Sequence, residues 1–130
     1  MMRTTVNPWT YPEGMDQGVL IEGHQRLLFV SGQCSVSATG ESLHPGDLRA
    51  QTSVALDNVE AVLREAGMGL GNIVRMNTYV TDVEAFFAQA GEMMAERLAA
   101  FDVRPPGVCA QISRLGRPEL LVELEAFAAD

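Results

Sequence analysis

The sequence predicts an α+β fold: a mixed β-sheet with two helices packed on one face. Three observations lead there. Short strand-like apolar runs stand at both ends of the chain, two long runs at helical spacing lie between them, and glycine, proline or a capping residue marks each junction. The resulting order is strand, strand, helix, strand, helix, strand, strand, with at least five strands in the sheet.

Residues 1–16 read as an irregular arm, because Pro8, Pro12 and Gly14 interrupt any period. Trp9 and Tyr11 are too large to leave in water. The arm is therefore expected to lie over the body of the protein or a neighbouring subunit, with a lid over a pocket as the other reading. Residues 18–22 and 27–31 read as two strands of a hairpin turning through Gly23-His24-Gln25-Arg26. The second runs into Ser31-Gly32-Gln33-Cys34. A glycine inside a strand marks a bulge or a close approach by a ligand or by another stretch of backbone, and both readings stay open here.

Asp47 is a good N-cap for a helix that runs to Ala66 and stops at Gly67. Leu48, Ala55, Leu56, Val59, Val62, Leu63 and Ala66 form its apolar stripe, with Gln51, Asp57, Glu60 and Arg64 facing away. Residues 72–80 read as a strand, with Ile73, Asn77, Tyr79 and the following Thr81 on one face and Val74, Met76, Thr78 and Val80 on the other. Thr81 and Glu84 have the spacing of a capping box, with Asp82 as the competing cap. The second helix is expected to run unbroken to about Phe101, through Gly91, with Met93 and Met94 as core residues.

At 130 residues the chain is one domain, and no apolar run approaches the roughly 18 residues of a membrane span. The opening residues lack the apolar core of a signal peptide, so a cytoplasmic protein is expected. The net charge is −8, carried against nine arginines and no lysine. Lysine Schiff-base chemistry is thereby excluded, and nucleic acid is disfavoured as a partner, since no basic patch forms along the sequence. Cys34 and Cys109 are expected to be free, buried thiols. With His24 and His44 they show no metal-ligand spacing, so neither metal nor cofactor is expected.

The last quarter carries the chemistry. Pro105-Pro106-Gly107 opens a strand at residues 108–113, Gly116-Arg117-Pro118 turns the chain, and residues 120–128 form a long apolar strand interrupted only by Glu123 and Glu125. Two residues apart on a strand, these acids share a face, either solvated or lining a polar pocket. The strand bearing Cys109, the following Arg114-Leu115, and Val122-Glu123-Leu124-Glu125-Ala126-Phe127-Ala128 resemble the C-terminal signature of the RidA/YjgF family of reactive-intermediate deaminases, also called L-PSP endoribonucleases. Phe29-Val30-Ser31-Gly32-Gln33, the helix that follows, and Tyr79-Val80-Thr81-Asp82 fit the same family in the same order. The resemblance spans about residues 17–128.

The resemblance implies a chorismate-mutase-like fold, a homotrimer, and small-molecule sites in the clefts between subunits. Strands apolar on both faces agree with a second sheet face buried by association. In the family's deaminases an arginine clamps the substrate carboxylate and a glutamate positions the attacking water. Carried over, the glutamate is Glu123, and Ser31, Gly32, Gln33, Gly107 and Cys109 border the ligand. Two positions depart from the pattern. Gly107 stands where the arginine belongs, with Arg104 and Arg114 as possible carboxylate partners, and Met15 stands near the position of the family's pocket tyrosine, with Tyr11 as a possible stand-in.

Three functions follow from the resemblance and these departures: imine-type hydrolysis of a non-standard substrate by Glu123, a non-catalytic small-ligand-binding trimer, or a ribonuclease or translation inhibitor, which the charge disfavours. An arginine restored at position 107 is expected to raise turnover of the usual imino acids if the rest of the cleft is intact, with a steric clash as the other outcome.

Overall fold

The computed structural model describes residues 1–11 and 14–130. In chain order it contains β1 (Met2–Val6), β2 (Gly18–Glu22), β3 (Leu27–Gln33), α1 (Leu48–Glu65), a 3-10 turn (Leu70–Asn72), β4 (Ile73–Val80), α2 (Val83–Gln89), α3 (Gly91–Ala99), β5 (Cys109–Gln111) and β6 (Val122–Ala129). The α+β class holds. The main sheet has the order β3-β6-β4-β5, in which β6 runs antiparallel to both neighbours and β5 runs parallel to β4. That one parallel pair requires a crossover, which α2 and α3 supply.

Alternation along β6 divides the sheet into two faces. Val122, Leu124, Ala126 and Ala128 are buried, while Glu123, Glu125 and Phe127 are half-exposed. The buried set meets Leu56, Val59 and Leu63 of α1, all fully buried, together with Ile73 and Val80 of β4. The helix begins where expected, with the Asp47 carboxylate accepting from Ala50 N at 3.0 Å. It ends at Gly67, whose φ of +74° is a conformation other residues adopt at a cost.

Five local expectations change. The hairpin between β2 and β3 does not form: β2 pairs with β1, and β3 pairs with β6. The chain after Gly23 is claimed by the C-terminus instead, with Gln25 N donating to Asp130 O at 2.6 Å and Arg26 forming an ion pair with Asp130. Residues 2–6, read as part of an irregular arm, form β1, so the sheet of at least five strands becomes one of four strands and a separate pair. The long second helix breaks at Ala90, whose φ of −136° is not helical, and resumes as α3 at Gly91.

Gln51, expected to face away, is fully buried. Its amide donates to His44 O at 3.1 Å and Glu119 O at 2.9 Å and accepts from Leu121 N at 2.9 Å, fixing the approach to β6. A helix-face pattern treats Gln as solvent-facing, but a buried amide with every group paired is stable. Lastly, Asp82 rather than Thr81 caps α2, accepting from Ala85 N at 3.0 Å.

A further irregularity, a register shift between Ile73 and Arg75, places Ile73 in the core, while Arg75, Asn77 and Tyr79 line the opposite, open face. Trp9 of the N-terminal arm is 68% exposed, so the body of this chain does not cover it.

Candidate active site

Two groups of side chains stand out, one on each face of the sheet. The first surrounds Glu123. Between Val30 and Gln33 the register of β3 against β6 slips by one residue, making a bulge at Ser31-Gly32. The bulge admits the Glu123 side chain: a Cβ built on Gly32 would lie 2.6 Å from Cδ of Glu123 and 2.9 Å from its Oε1. Within this chain, the glycine makes room for a carboxylate.

Just past the bulge, Cys34 directs its thiol to Glu123 Oε1 at 3.2 Å. Its backbone carbonyl is held by Asn58 Nδ2 at 2.8 Å, which also reaches Val36 O at 3.0 Å, tying this loop to α1. Burial, then the hydrogen bond to Glu123 and its negative charge, push the Cys34 thiol up to about 12, with Arg117 pulling weakly the other way. At neutral pH the sulfur therefore keeps its proton and acts as a donor to the carboxylate. Next along β6, Glu125 accepts from Tyr79 Oη at 2.7 Å and Asn77 Nδ2 at 2.9 Å. Those two bonds lower the Glu125 pKa, and the same contact raises that of Tyr79. Glu125 is tied down as a fixed charge, whereas among the described residues Glu123 meets only the thiol.

The second group lies on the helix side. Cys109 pairs with Thr78 across β4 and β5, and the two share the face that looks toward α2 and α3. There they line a cavity of about 410 Å³ beneath the break between these helices, bounded also by Met15, Met76, Phe86 and Leu98. Burial raises the Cys109 thiol pKa. Both cysteines are free and half-buried. Among the described residues, no cluster of His, Cys, Asp and Glu could hold a metal ion.

Of the residues expected at the site, Ser31, Gly32 and Glu123 come together, and Gln33 stays close by, its Nε2 donating to Ser31 O at 3.1 Å. Cys109 belongs to the other group. Gly107 is locked against β4, where an added Cβ would sit 1.7 Å from Met76 O. The flanking bonds, Met76 N to Pro106 O at 3.1 Å and Thr78 N to Val108 O at 2.8 Å, hold it there. On this backbone an arginine at 107 would clash with Met76 O, the steric outcome allowed for by the sequence.

Neither proposed substitute faces Glu123. Arg114 turns back on its own loop, donating to Leu115 O at 3.1 Å and Gly116 O at 3.3 Å, and Arg104 is exposed. The arginine whose charge reaches the Cys34–Glu123 pair is Arg117, anchored to Gly40 O at 2.8 Å and Ser42 Oγ at 3.0 Å. Nothing in the local sequence marked it. Cys34 was nearer to discovery, since it directly follows the Ser-Gly-Gln segment. Met15, the counterpart of the family's tyrosine, lines the cavity.

With this geometry in hand, the comparisons with known proteins decide the family. Residues 16–130 match the family model described as Endoribonuclease L-PSP. The chain belongs to this family. Within it, the chain is similar to the 2-iminobutanoate/2-iminopropanoate deaminase of Escherichia coli, at 33% identity over 122 residues, covering 91% of this chain and 85% of that one. Among solved structures, a Rid-family protein of unknown function from Yersinia pestis matches with a TM-score of 0.81 and 33% identity, covering 99% of both chains. TdcF of Escherichia coli with bound serine matches with a TM-score of 0.71 and 30% identity, covering 95% of this chain and 92% of that one. The RidA/YjgF resemblance is therefore correct.

Proposed function

We propose that this protein is a homotrimeric RidA-type hydrolase of imine-like C=N bonds, with Glu123 as the catalytic group and a substrate other than the family's usual 2-imino acids. The observation that carries the reading is the Glu123 carboxylate itself, set beside a glycine bulge and bonded through one oxygen to a protonated thiol. That arrangement leaves the second oxygen to orient water. In the reaction, water adds to the imine carbon as Glu123 takes its proton. Glu123 passes that proton to the nitrogen, and the carbinolamine so formed expels ammonia as its hydroxyl proton moves to the departing nitrogen, leaving the carbonyl product.

The two groups of side chains lie on opposite faces of one sheet, so a single chain does not bring Glu123 to the Cys109 cavity. Association would, by placing the open face of one subunit against the edge of the next. Leu27 and Phe29 on that face are 53% and 69% exposed, and Phe29 packs edge-on against Phe127 with ring centroids 5.5 Å apart. An apolar surface of this kind favours burial in an oligomer. Sedimentation is expected to give a trimer at micromolar concentration, and a monomer would remove the composite cleft.

A second reading, a non-catalytic ligand-binding trimer, is favoured by Gly107, which brings no guanidinium to the cleft. Ammonia release separates the two. Wild type is expected to release ammonia from at least one member of a panel of imines generated in situ by an amine or amino-acid oxidase, and Glu123→Gln to lose that activity. No turnover on any imine would leave the binding reading, whereas equal turnover by the Gln variant would reject Glu123 as the catalytic group. Ribonuclease chemistry has the least support, since a net charge of −8 with scattered arginines offers phosphates no patch.

A further inference from the structure

The cavity beneath α2 and α3 differs in character from a carboxylate-binding site. At about 410 Å³ it falls in the size range of small-molecule pockets. Its walls are thioether, aromatic and aliphatic: Met15, Met76, Met94, Phe86, Leu98 and Val108. Most of the lining is apolar, and its polar side chains include the Thr78 hydroxyl and the Cys109 thiol, each able to donate or accept a hydrogen bond. No arginine lines it among the described residues, and the charged group at its rim is Glu92.

We propose that this cavity takes an uncharged, apolar ligand group, aromatic or branched aliphatic, anchored by one hydrogen bond to Thr78 or Cys109, and that it rejects carboxylates. The proposal rests on reading the Cys109 cavity as one wall of the reaction cleft, and it assigns the substrate class. A carboxylate entering here loses its hydration without meeting a cation. The positive end of α3 at Gly91, which lines this cavity, is offset by Glu92 in the first turn of that helix. Gly107 cannot contribute, because its Cα is packed against Met76 O. Methionine and phenylalanine walls favour polarizable, ring-bearing groups, which fit soft surfaces without demanding fixed polar partners.

Fluorescence of the uncharged dye N-phenyl-1-naphthylamine, which brightens on leaving water, tests this directly. Wild type is expected to bind the dye, and 3-phenylpropanamide to displace it at a concentration at least tenfold lower than 3-phenylpropanoate does. These two compounds differ at the terminal group alone. Bound dye is also expected to slow alkylation of Cys109 by iodoacetamide at least threefold, read by peptide mass mapping, while leaving Cys34 unchanged. Met94→Trp, which fills the cavity, should abolish dye binding. If that variant does not fold, the alkylation pattern of wild type decides alone.

No dye binding, displacement by the carboxylate at equal or lower concentration, or dye binding without protection of Cys109 would each overturn the proposal. Glu123→Gln should bind the dye as wild type does. A failed turnover experiment with intact dye binding would thus reject the chemistry and keep the pocket, and the reverse result would reject the pocket alone.

Discussion

Gly107→Ala is expected to destabilise the protein by about 3 kcal/mol, and Gly107→Arg by at least as much. The cause is the first side-chain carbon, not the charge. A Cβ at this position would lie 1.7 Å from Met76 O and 2.7 Å from the carbonyl carbon, distances that only backbone movement can relieve. Moving residues 106–108 off β4 breaks two backbone hydrogen bonds and the contact from Val108 N to Asn77 Oδ1 at 3.1 Å. Asn77 in turn donates to Glu125, so the disturbance runs onto the open face. Urea unfolding of the two variants checks this. If Gly107→Ala lies within about 0.5 kcal/mol of wild type, the backbone has room, and the missing arginine is a matter of chemistry alone.

The same glycine shows how far the sequence could be read. That an arginine is absent was plain from Pro105-Pro106-Gly107-Val108-Cys109. That the backbone had closed over its place was not, because the close approach of Gly107 to Met76 in β4 joins residues 31 positions apart. The core stripe of α1 and the alternation of Glu123 and Glu125 against Val122 and Leu124 were legible, since each depends on local periodicity. Gln51 was misread for the converse reason: its three partners lie in the loop before α1 and the segment before β6, out of reach of any helical pattern. The hairpin of β2 and β3 failed because strand pairing is settled by competition. Asp130 O took the amides that a tight turn would have used.

At the candidate site, the sequence supplied the acid and the bulge but not the link between them. Glu123 and Gly32 stand 91 positions apart, and their contact follows from the antiparallel register of β3 on β6 together with one extra residue. The thiol of Cys34 was noted only as buried. Its partner became visible once that register turned the residue after the bulge toward β6. Arg117 gave no signal at all, because its neighbours Gly40 and Ser42 come from a loop on the far side of the chain.

The sharpest consequence of that contact concerns Gly32→Ala. Its Cβ would lie within 3 Å of three atoms of the Glu123 side chain, so something must yield. Here the obstacle is the end of a flexible side chain, and the carboxylate can rotate away. Stability should therefore fall by less than about 1 kcal/mol. Activity should fall much further, by about 100-fold, since displacing a reacting group by an ångström has that cost. Glu123→Gln, which keeps the position and removes the base, should lose as much or more. A second signal needs no substrate. With Glu123 displaced, Cys34 loses its hydrogen-bonded carboxylate and part of what raises its pKa to about 12. Its alkylation rate between pH 9 and pH 10 should then rise, because more of the thiol is ionised. Gly32→Ala with wild-type turnover and an unchanged Cys34 alkylation rate would mean that the bulge relaxes instead, and that Glu123 does not depend on it.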